Sequence, residues 1–577
     1  MNFKDEKVIK TDVLVIGSGG AGLRAALEAR AYGAEVYLID KVVLATNNST
    51  RYSGGGFKAA LPGILSDAYT KVFATPKQHF EAALLHGEYL NDQFLVETLC
   101  YEAPARILEL QEFGVEHVGE LYLKLPYPHG TGLVKPLLKA VKEAGCKTRA
   151  GLVVADLLVE GGTVRGVMAV DIYTGSLFTF RAGATVLASG GAGEVYKRND
   201  TSANTTGDGF ALAYRAGAEL RDMEIIQFEP YVQAEPGLPM MDRHECEAEF
   251  YGILRNRKGE DFLPKYLPGG DELDAFHKQF GTHLTDIREM VARSMAMEVH
   301  AGRGDGEAVL FDLTSVPPGK WDADIASVYT RNVLLRGFDV DKKPVRVFPG
   351  AICNLGGVAI DVDCRTSLKG LFAAGEVTGG VHGAARLGGD ALADIFVFGA
   401  RAGRSAALYA GSNGVPPGEI PVEAEIRNRL VEILNRTLKS KGDPHTIKEA
   451  IKETMWRNVG LLRRGEGLDQ ALTDLGELKE KSLPHLFSRS IRELKYALEA
   501  ESMLTVAEMI ACSANRREES RGAHYRLDHP YRDDRSWLKN IFIRREGDRM
   551  ALLERPVALL RSKPGPISKF RLEVKAL

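Results

Sequence analysis

Gly17, Gly19 and Gly22 stand in G-x-G-x-x-G spacing directly behind an unbroken apolar run, Val13 to Ile16. Such a run has the character of a strand buried on both faces. Ala21 to Ala34 is rich in Ala and Leu and predicts a helix; Glu35 to Ile39 predicts a second strand, ending in Asp40. Glycines at this spacing allow a tight turn, close approach of backbone N–H groups to a pyrophosphate, and close helix–strand packing, with the phosphates over the helix N-terminus. Asp40, 18 residues beyond Gly22, is placed to accept hydrogen bonds from a ribose. This combination predicts a dinucleotide site and does not separate NAD from FAD.

Two later stretches return to the same pattern. "ATVLASGGAGEVY" (Ala184–Tyr196) carries a buried strand into Ala188 and Gly190, and "KGLFAAGEVTG" (Lys369–Gly379) carries another past Glu376. Three returns to one sheet, separated by long insertions, suit an extended FAD, whose AMP, pyrophosphate, ribityl chain and ring each need a loop.

These loops need a large framework, and 577 residues are too many for one core. Apolar content of 45% and charged content of 26% are ordinary for a globular protein. A net charge of −3 argues against a nucleic-acid partner, which usually demands a basic excess. The start, "MNFKDEKVIK", lacks the apolar core of a secretory signal, and no apolar window of membrane-span length is free of charge. A cytoplasmic protein without direct membrane insertion is expected. Its six cysteines are scattered with no C-x-x-C pair, as in a reduced protein with no metal site of its own.

Four further stretches carry a resemblance: "NTTGDGFALAYRAGAELRDMEIIQFEP" (Asn204–Pro230), "HAGRGDGEAVLFDL" (His300–Leu313), "GLFAAGEVTGGVHGAARLGGDALADIFVFGARAG" (Gly370–Gly403) and "ESRGAHYRLDHPYRDD" (Glu519–Asp534). With the amino-terminal fingerprint they resemble, in order and over nearly the whole chain, the flavoprotein subunits of fumarate reductases and succinate dehydrogenases. L-aspartate oxidase and adenylylsulfate reductase flavoproteins belong to the same wider group. The resemblance implies an α/β fold with a Rossmann-like FAD-binding domain, an inserted α+β capping domain and a C-terminal helical domain. The expected divisions are 1–228 and 346–411 for FAD binding, 229–345 for the cap, 418–540 for the helices and 541–577 for a C-terminal extension that alternates enough for a small sheet. The implied reaction is hydride transfer between flavin N5 and a carbon held beneath the cap. An iron–sulfur subunit is the expected electron partner, and partner subunits are the only route to the inner face of a membrane.

By the same resemblance the cofactor would meet Gly17, Gly19, Gly20, Ala21, Gly22, Asp40, Lys41, Thr50, Gly54, Gly55, Ala188, Gly190, Asp208, Glu376, Arg386, Ala391 and Leu392. "RLGGDAL" (Arg386–Leu392) opens a helix whose N-terminus would face the flavin C2 carbonyl. Relatives with covalent FAD carry a His just before the next Gly-Gly; the corresponding loop, Lys41 to Gly56, has none, so dissociable FAD is expected.

For the substrate, the resemblance makes Arg386 a carboxylate clamp and Arg303 the proton donor, with Glu245 as relay acid. A guanidinium is a poor acid in water, so such a role needs a dry site and a group that reloads the proton. The relay arginine's place holds Ala248. The family's two substrate histidines are also absent: "QxHPT" reads "QFEPY", placing Glu229 and Tyr231, and "HYTMGG" reads "ICNLGG", placing Ile352 and Asn354. His244 replaces a threonine, and His382 keeps its family position. Glu229, Tyr231, His244 and Asn354 are expected to select something other than a simple C4 dicarboxylate: a carbon–carbon bond beside a carboxylate or related acyl group. A blander alternative makes Glu229 a structural acid paired to Arg303 or Arg386, with His244 or His382 doing the histidines' work. Rival functions are adenylylsulfate reductase-like chemistry and a non-catalytic electron-transfer flavin module.

Overall fold

A computed structural model describes residues 2–53, 56–61, 73–115, 130–237, 252–267, 287–316, 337, 339–340, 342–437 and 440–560. Three sheets organise these residues. The first runs β3 (Lys147–Ala150), β2 (Val36–Asp40), β1 (Glu6–Ile16), β6 (Leu177–Leu187), β5 (Thr163–Asp171), β4 (Leu152–Glu160). β1, β2, β3 and β6 are mutually parallel, and β13 (Leu371–Ala373) adds in parallel to the last residues of β6. The apolar run Val13–Leu14–Val15 lies at 0% exposure between these strands, which is why no alternation marks it. Helix α1 (Gly20–Ala31) follows β1 directly. Helices α2 (Pro76–His86), α3 (Gln93–Leu108), α4 (Thr131–Glu143) and α5 (Asp208–Arg215) complete this region before the cap.

The cap sheet is antiparallel, in the order β8 (Ile226–Gln233), β11 (Val345–Asn354), β10 (Val309–Asp312), β9 (Ile253–Arg255). Its neighbouring strands β8 and β11 connect it to the rest of the chain: β8 runs through position 229, and β11 begins at Val345. Helix α6 (Arg288–His300) packs across β8 and β11, and a separate apolar core forms from Tyr231, Val291, Met295, Phe311 and Val347.

The third sheet joins β7 (Leu220–Arg221), β12 (Gly357–Ala359) and β14 (Thr378–Gly379) to the terminal hairpin β15 (Lys539–Glu546) and β16 (Arg549–Pro556). The long helix α7 (Asp390–Asn413) lies against α1. Helices α8 (Val422–Asn435), α9 (Pro444–Asn458), α10 (Gly465–Lys481) and α11 (Leu494–Arg516) form the helical region. Among the described residues no helix is long and apolar enough to cross a membrane, and no His/Cys/Asp/Glu group could hold a metal ion.

Candidate active site

The β1–α1 turn shows why the glycines are needed. Gly17 has φ of +109°, and a Cβ there would meet the Ala188 carbonyl oxygen at 2.2 Å. A Cβ on Gly22 would lie 1.9 Å from the Gly17 oxygen. The α1 N-terminus has no side-chain cap; Gly20 N–H reaches Thr50 Oγ1 at 3.1 Å. With no side chain at the N-cap position Gly19, the first-turn amides beyond Gly20 are of the kind a pyrophosphate binds. Asp40 Oδ2 accepts from Ser18 N and Oγ at 2.8 and 2.6 Å, while Oδ1 accepts from Val42 N at 3.0 Å. That pins the carboxylate with lone-pair capacity left on Oδ1 for a ribose hydroxyl.

Lys41 and Asp208 meet each other, Nζ to Oδ2 at 2.7 Å, and Lys41 also reaches Glu499 on α11 at 3.0 Å. Burial opposes the charge on Lys41, but the carboxylates of Asp208 and Glu499 outweigh it and raise its pKa. Glu376 accepts from Asn354 N at 3.1 Å, and burial pushes its carboxyl up to about 7. Gly389, left-handed at φ +87°, precedes α7, whose uncapped first turn holds Ala391 and Leu392. Asp390 in that turn accepts from His79 Nε2 at 2.8 Å. The cradle of forbidden Cβ positions, two uncapped helix starts and the acids fit FAD. Gly54 and Gly55 lie outside the described residues.

The residues expected on the substrate side gather where β8 and α6 meet the loop before α7. Arg386 is 7% exposed and its buried Nε has no hydrogen-bond partner. Beside it lies Cys353, whose thiol is pushed up by burial and by the Glu376 carboxylate. Gln227 Nε2 donates to Glu289 Oε1 at 2.6 Å and to the Arg386 carbonyl at 3.3 Å, joining β8, α6 and the Arg386 loop. Two residues along the same face of β8, Glu229 Oε2 sits 3.1 Å from Arg288 Nε, both side chains buried. His382 Nε2 is 3.5 Å from Asp394 Oδ2.

Several expectations need correction. Arg303 is held by Glu298, with Nε and Nη2 at 2.9 and 2.8 Å, and by Tyr266 Oη at 3.1 Å. Although burial opposes it, hydrogen bonds from Arg303, Tyr266 and Asn256 bring the Glu298 carboxyl down to about 2. Arg303 follows the C-terminal end of α6, a helix about 20 Å long, whereas Arg288 and Glu289 open its N-terminal end beside the Arg386 loop. The guanidinium at the Arg386 side is therefore Arg288. Glu229 is paired with Arg288, neither with Arg303 nor with Arg386. Tyr231 belongs to the cap core, its ring 4.9 Å from that of Phe311. Asn354 braces the cradle, accepting from Ala192 N at 2.7 Å while its own N–H binds Glu376. His244 and Glu245 lie outside the described residues. The sequence signal for Arg288 is weak: an arginine at the head of "REMVARSMAMEVH", unremarkable until β8 packs against it.

Residues 12–127 and 117–392 match the FAD binding domain family, and residues 448–568 match the C-terminal family of fumarate reductase flavoproteins. The chain is 34% identical over 570 residues to a fumarate reductase (CoM/CoB) subunit from Methanothermobacter marburgensis, covering 94% of this chain and 98% of that one. The chain belongs to the fumarate reductase/succinate dehydrogenase flavoprotein family. It is an FAD-dependent oxidoreductase acting on CH–CH groups. The succinate dehydrogenase flavoprotein subunit of Rickettsia bellii is 30% identical, over 98% of this chain and 97% of that one. Among solved structures, a variant of E. coli quinol fumarate reductase superposes with a TM-score of 0.84 at 29% identity, covering 97% of this chain and 98% of that one. Adenylylsulfate reductase from Archaeoglobus fulgidus, at 18% identity and TM-score 0.77, shares the fold.

Proposed function

We propose that this flavoprotein reduces a carbon–carbon double bond beside one carboxylate, or runs the reverse oxidation, and that plain fumarate is not its best acceptor. What carries the reading is the Glu229–Arg288 pair at the cap edge of the Arg386 loop. Where the family places a histidine that donates to a substrate carboxylate, this chain places a carboxylate already committed to a guanidinium. Ile352 removes a second donor. Each lost charged hydrogen bond is worth about 1.5–3 kcal/mol, so two would weaken a dicarboxylate by about 10²–10⁴-fold. A substrate with a single carboxylate and a neutral far end avoids that loss.

Arg386, with its partnerless buried Nε, anchors the carboxylate. Arg288 holds the proton destined for the substrate carbon, in the role expected of Arg303. Glu229, 3.1 Å away, is the group through which that proton is restored, since Ala248 stands where a relay arginine would. Bound FAD supplies hydride exchange at its ring. The flavin is dissociable, as the Lys41–Gly56 loop lacks a histidine. The electron partner is an iron–sulfur subunit, and the protein is cytoplasmic, with partner subunits setting any attachment to the inner face of a membrane.

The test is to load the protein with FAD, reduce it anaerobically, and follow flavin reoxidation by fumarate, a fumarate monoester, simple monocarboxylate enoates and adenylylsulfate. Faster reoxidation by the monocarboxylates is expected. Fumarate as the best acceptor would overturn the substrate reading, and adenylylsulfate as the best would move the chain to sulfur chemistry.

A further inference from the structure

Arg293 lies on α6, five residues after Arg288, and is directed away from the cap sheet toward the C-terminal region. Its Nη2 donates to the Gly522 carbonyl at 3.0 Å, and its guanidinium carbon lies 4.1 Å from the centre of the Tyr525 ring. Burial lowers its pKa, and its Nε is buried without a hydrogen-bond partner. The guanidinium is half-buried, and its contacts with the Gly522 carbonyl and the Tyr525 ring offset part of the cost of taking it out of water.

The loop that receives it is fixed on its other side to the substrate loop. Ala523 N–H donates to the Ala384 carbonyl at 2.8 Å, two residues before Arg386. Ala384 N–H in turn donates to the Gly87 carbonyl at 2.9 Å, and Gly522 N–H to Glu88 Oε1 at 2.8 Å. Gly522, at φ +53°, approaches so closely that a Cβ there would lie 2.2 Å from the Ala384 oxygen. Arg521 holds the loop from below, binding Glu519 at 2.7 Å and the Glu88 carbonyl at 2.9 Å.

We propose that Arg293 is a positioning residue: it latches the cap helix to the Gly522 loop and so sets Arg288 relative to Arg386. One rigid loop thereby references both guanidinium groups, one through Ala384 and one through α6. The inference rests on the proposal above that Arg288 and Arg386 serve one substrate. Its test reads the cap and the flavin without any substrate, so the two can fail separately. When the latch is intact the cap stays shut over the cleft; when it is lost, the cap samples open positions while both arginines remain in the chain.

The experiment uses the full chain loaded with FAD. Hydrogen–deuterium exchange and iodide quenching of flavin fluorescence are measured for the wild type and for Arg293→Leu, Arg293→Lys and Tyr525→Leu. Arg293→Leu is expected to raise exchange several-fold in 253–267 and 287–316, and to raise the quenching constant at least twofold, with β1, β2 and β6 unchanged. Arg293→Lys, which keeps a donor for Gly522, is expected to fall between. If Arg293→Leu does not hold FAD, Tyr525→Leu gives the same reading from the opposite side of the contact. Exchange that rises uniformly over the FAD sheet, or quenching that does not change, would reduce Arg293 to a stabilising contact and overturn the proposal.

Discussion

Glu229 Oε2 lies 3.1 Å from Arg288 Nε, with both side chains buried where β8 packs on α6. A buried pair gains little over apolar packing, but leaving one charge alone costs about 3–5 kcal/mol. Glu229→Ala should therefore lower the free energy of unfolding, read from a denaturant titration, by up to an amount of that order. The paired change Glu229→His with Ile352→His restores two donors. It should lower the fumarate concentration that half-saturates reoxidation of the reduced flavin about 10²–10⁴-fold, at a reduced maximal rate because Glu229 no longer restores the Arg288 proton. A double variant no better with fumarate than the wild type would show that these positions do not set the acceptor.

Arg303 and Arg386 should separate cleanly. Arg386→Met removes the carboxylate anchor and should lower kcat/KM, expressed per bound FAD, by about 10²-fold or more. Arg303→Ala touches only the Glu298 cluster at the far end of α6. Turnover should survive there, while the cap loses about 1.5–3 kcal/mol from the missing charged hydrogen bonds. Stopped-flow reoxidation and thermal unfolding of the two variants read the difference.

The division between what could and could not be anticipated follows the range of the interactions. The β1–α1 turn is local: glycine spacing, an apolar run and Asp40 at the end of β2 specify one another within 29 residues, 12–40. The β15–β16 hairpin announces itself by alternation, whereas β7, β12 and β14 have two or three residues each and exist only through their partners. Arg303 sits beside glycines in a conspicuous loop, and Arg288 looks like any first-turn helix residue. Only the packing of α6 on β8 decides which one faces Glu229. Tyr231 follows from the same strand: Gln227, Glu229 and Tyr231 share a face, and the cap core captures the last of them.

Glu376 gives the molecule a pH signature. Burial raises its carboxyl from the ordinary 4.5 to about 7. Between these values the unfolded chain has released the proton while the folded chain keeps it, so stability falls as pH rises from 4.5 to 7. The loss is at most about 3 kcal/mol. Glu376→Gln should flatten that slope in the FAD-free protein, measured as unfolding midpoints between about pH 5 and pH 7.5. A slope unchanged by the substitution would mean the carboxyl titrates in its usual range.

Glu298 has the opposite sign. Hydrogen bonds from Arg303, Tyr266 and Asn256 overcome burial and hold its carboxyl near 2, so its stabilising contribution is complete above pH 4.5 and is lost as pH falls toward 2. The cap should therefore loosen in acid before the FAD sheet does. Hydrogen exchange at about pH 3 should rise first in 253–267 and 287–300, and Arg303→Ala should bring that rise to higher pH. Simultaneous loosening of β1 and α6 would place the acid-sensitive step elsewhere.

Retention of the flavin depends on geometry at the β1–α1 turn. A Cβ at Gly17 would lie 2.2 Å from the Ala188 carbonyl oxygen, and φ of +109° strains any other residue there. Backbone oxygens cannot give way as a flexible side chain would, so Gly17→Ala must push β1 from the strand end that carries Ala188. That shift moves the α1 amides off the pyrophosphate position, and the variant should purify without yellow colour and bind added FAD about 10²-fold more weakly or worse. In the wild type, acid precipitation should release all of the flavin to the supernatant, because no histidine between Lys41 and Gly56 is present to bond it. Flavin fluorescence remaining on the washed, denatured chain would mean that another side chain forms the covalent link.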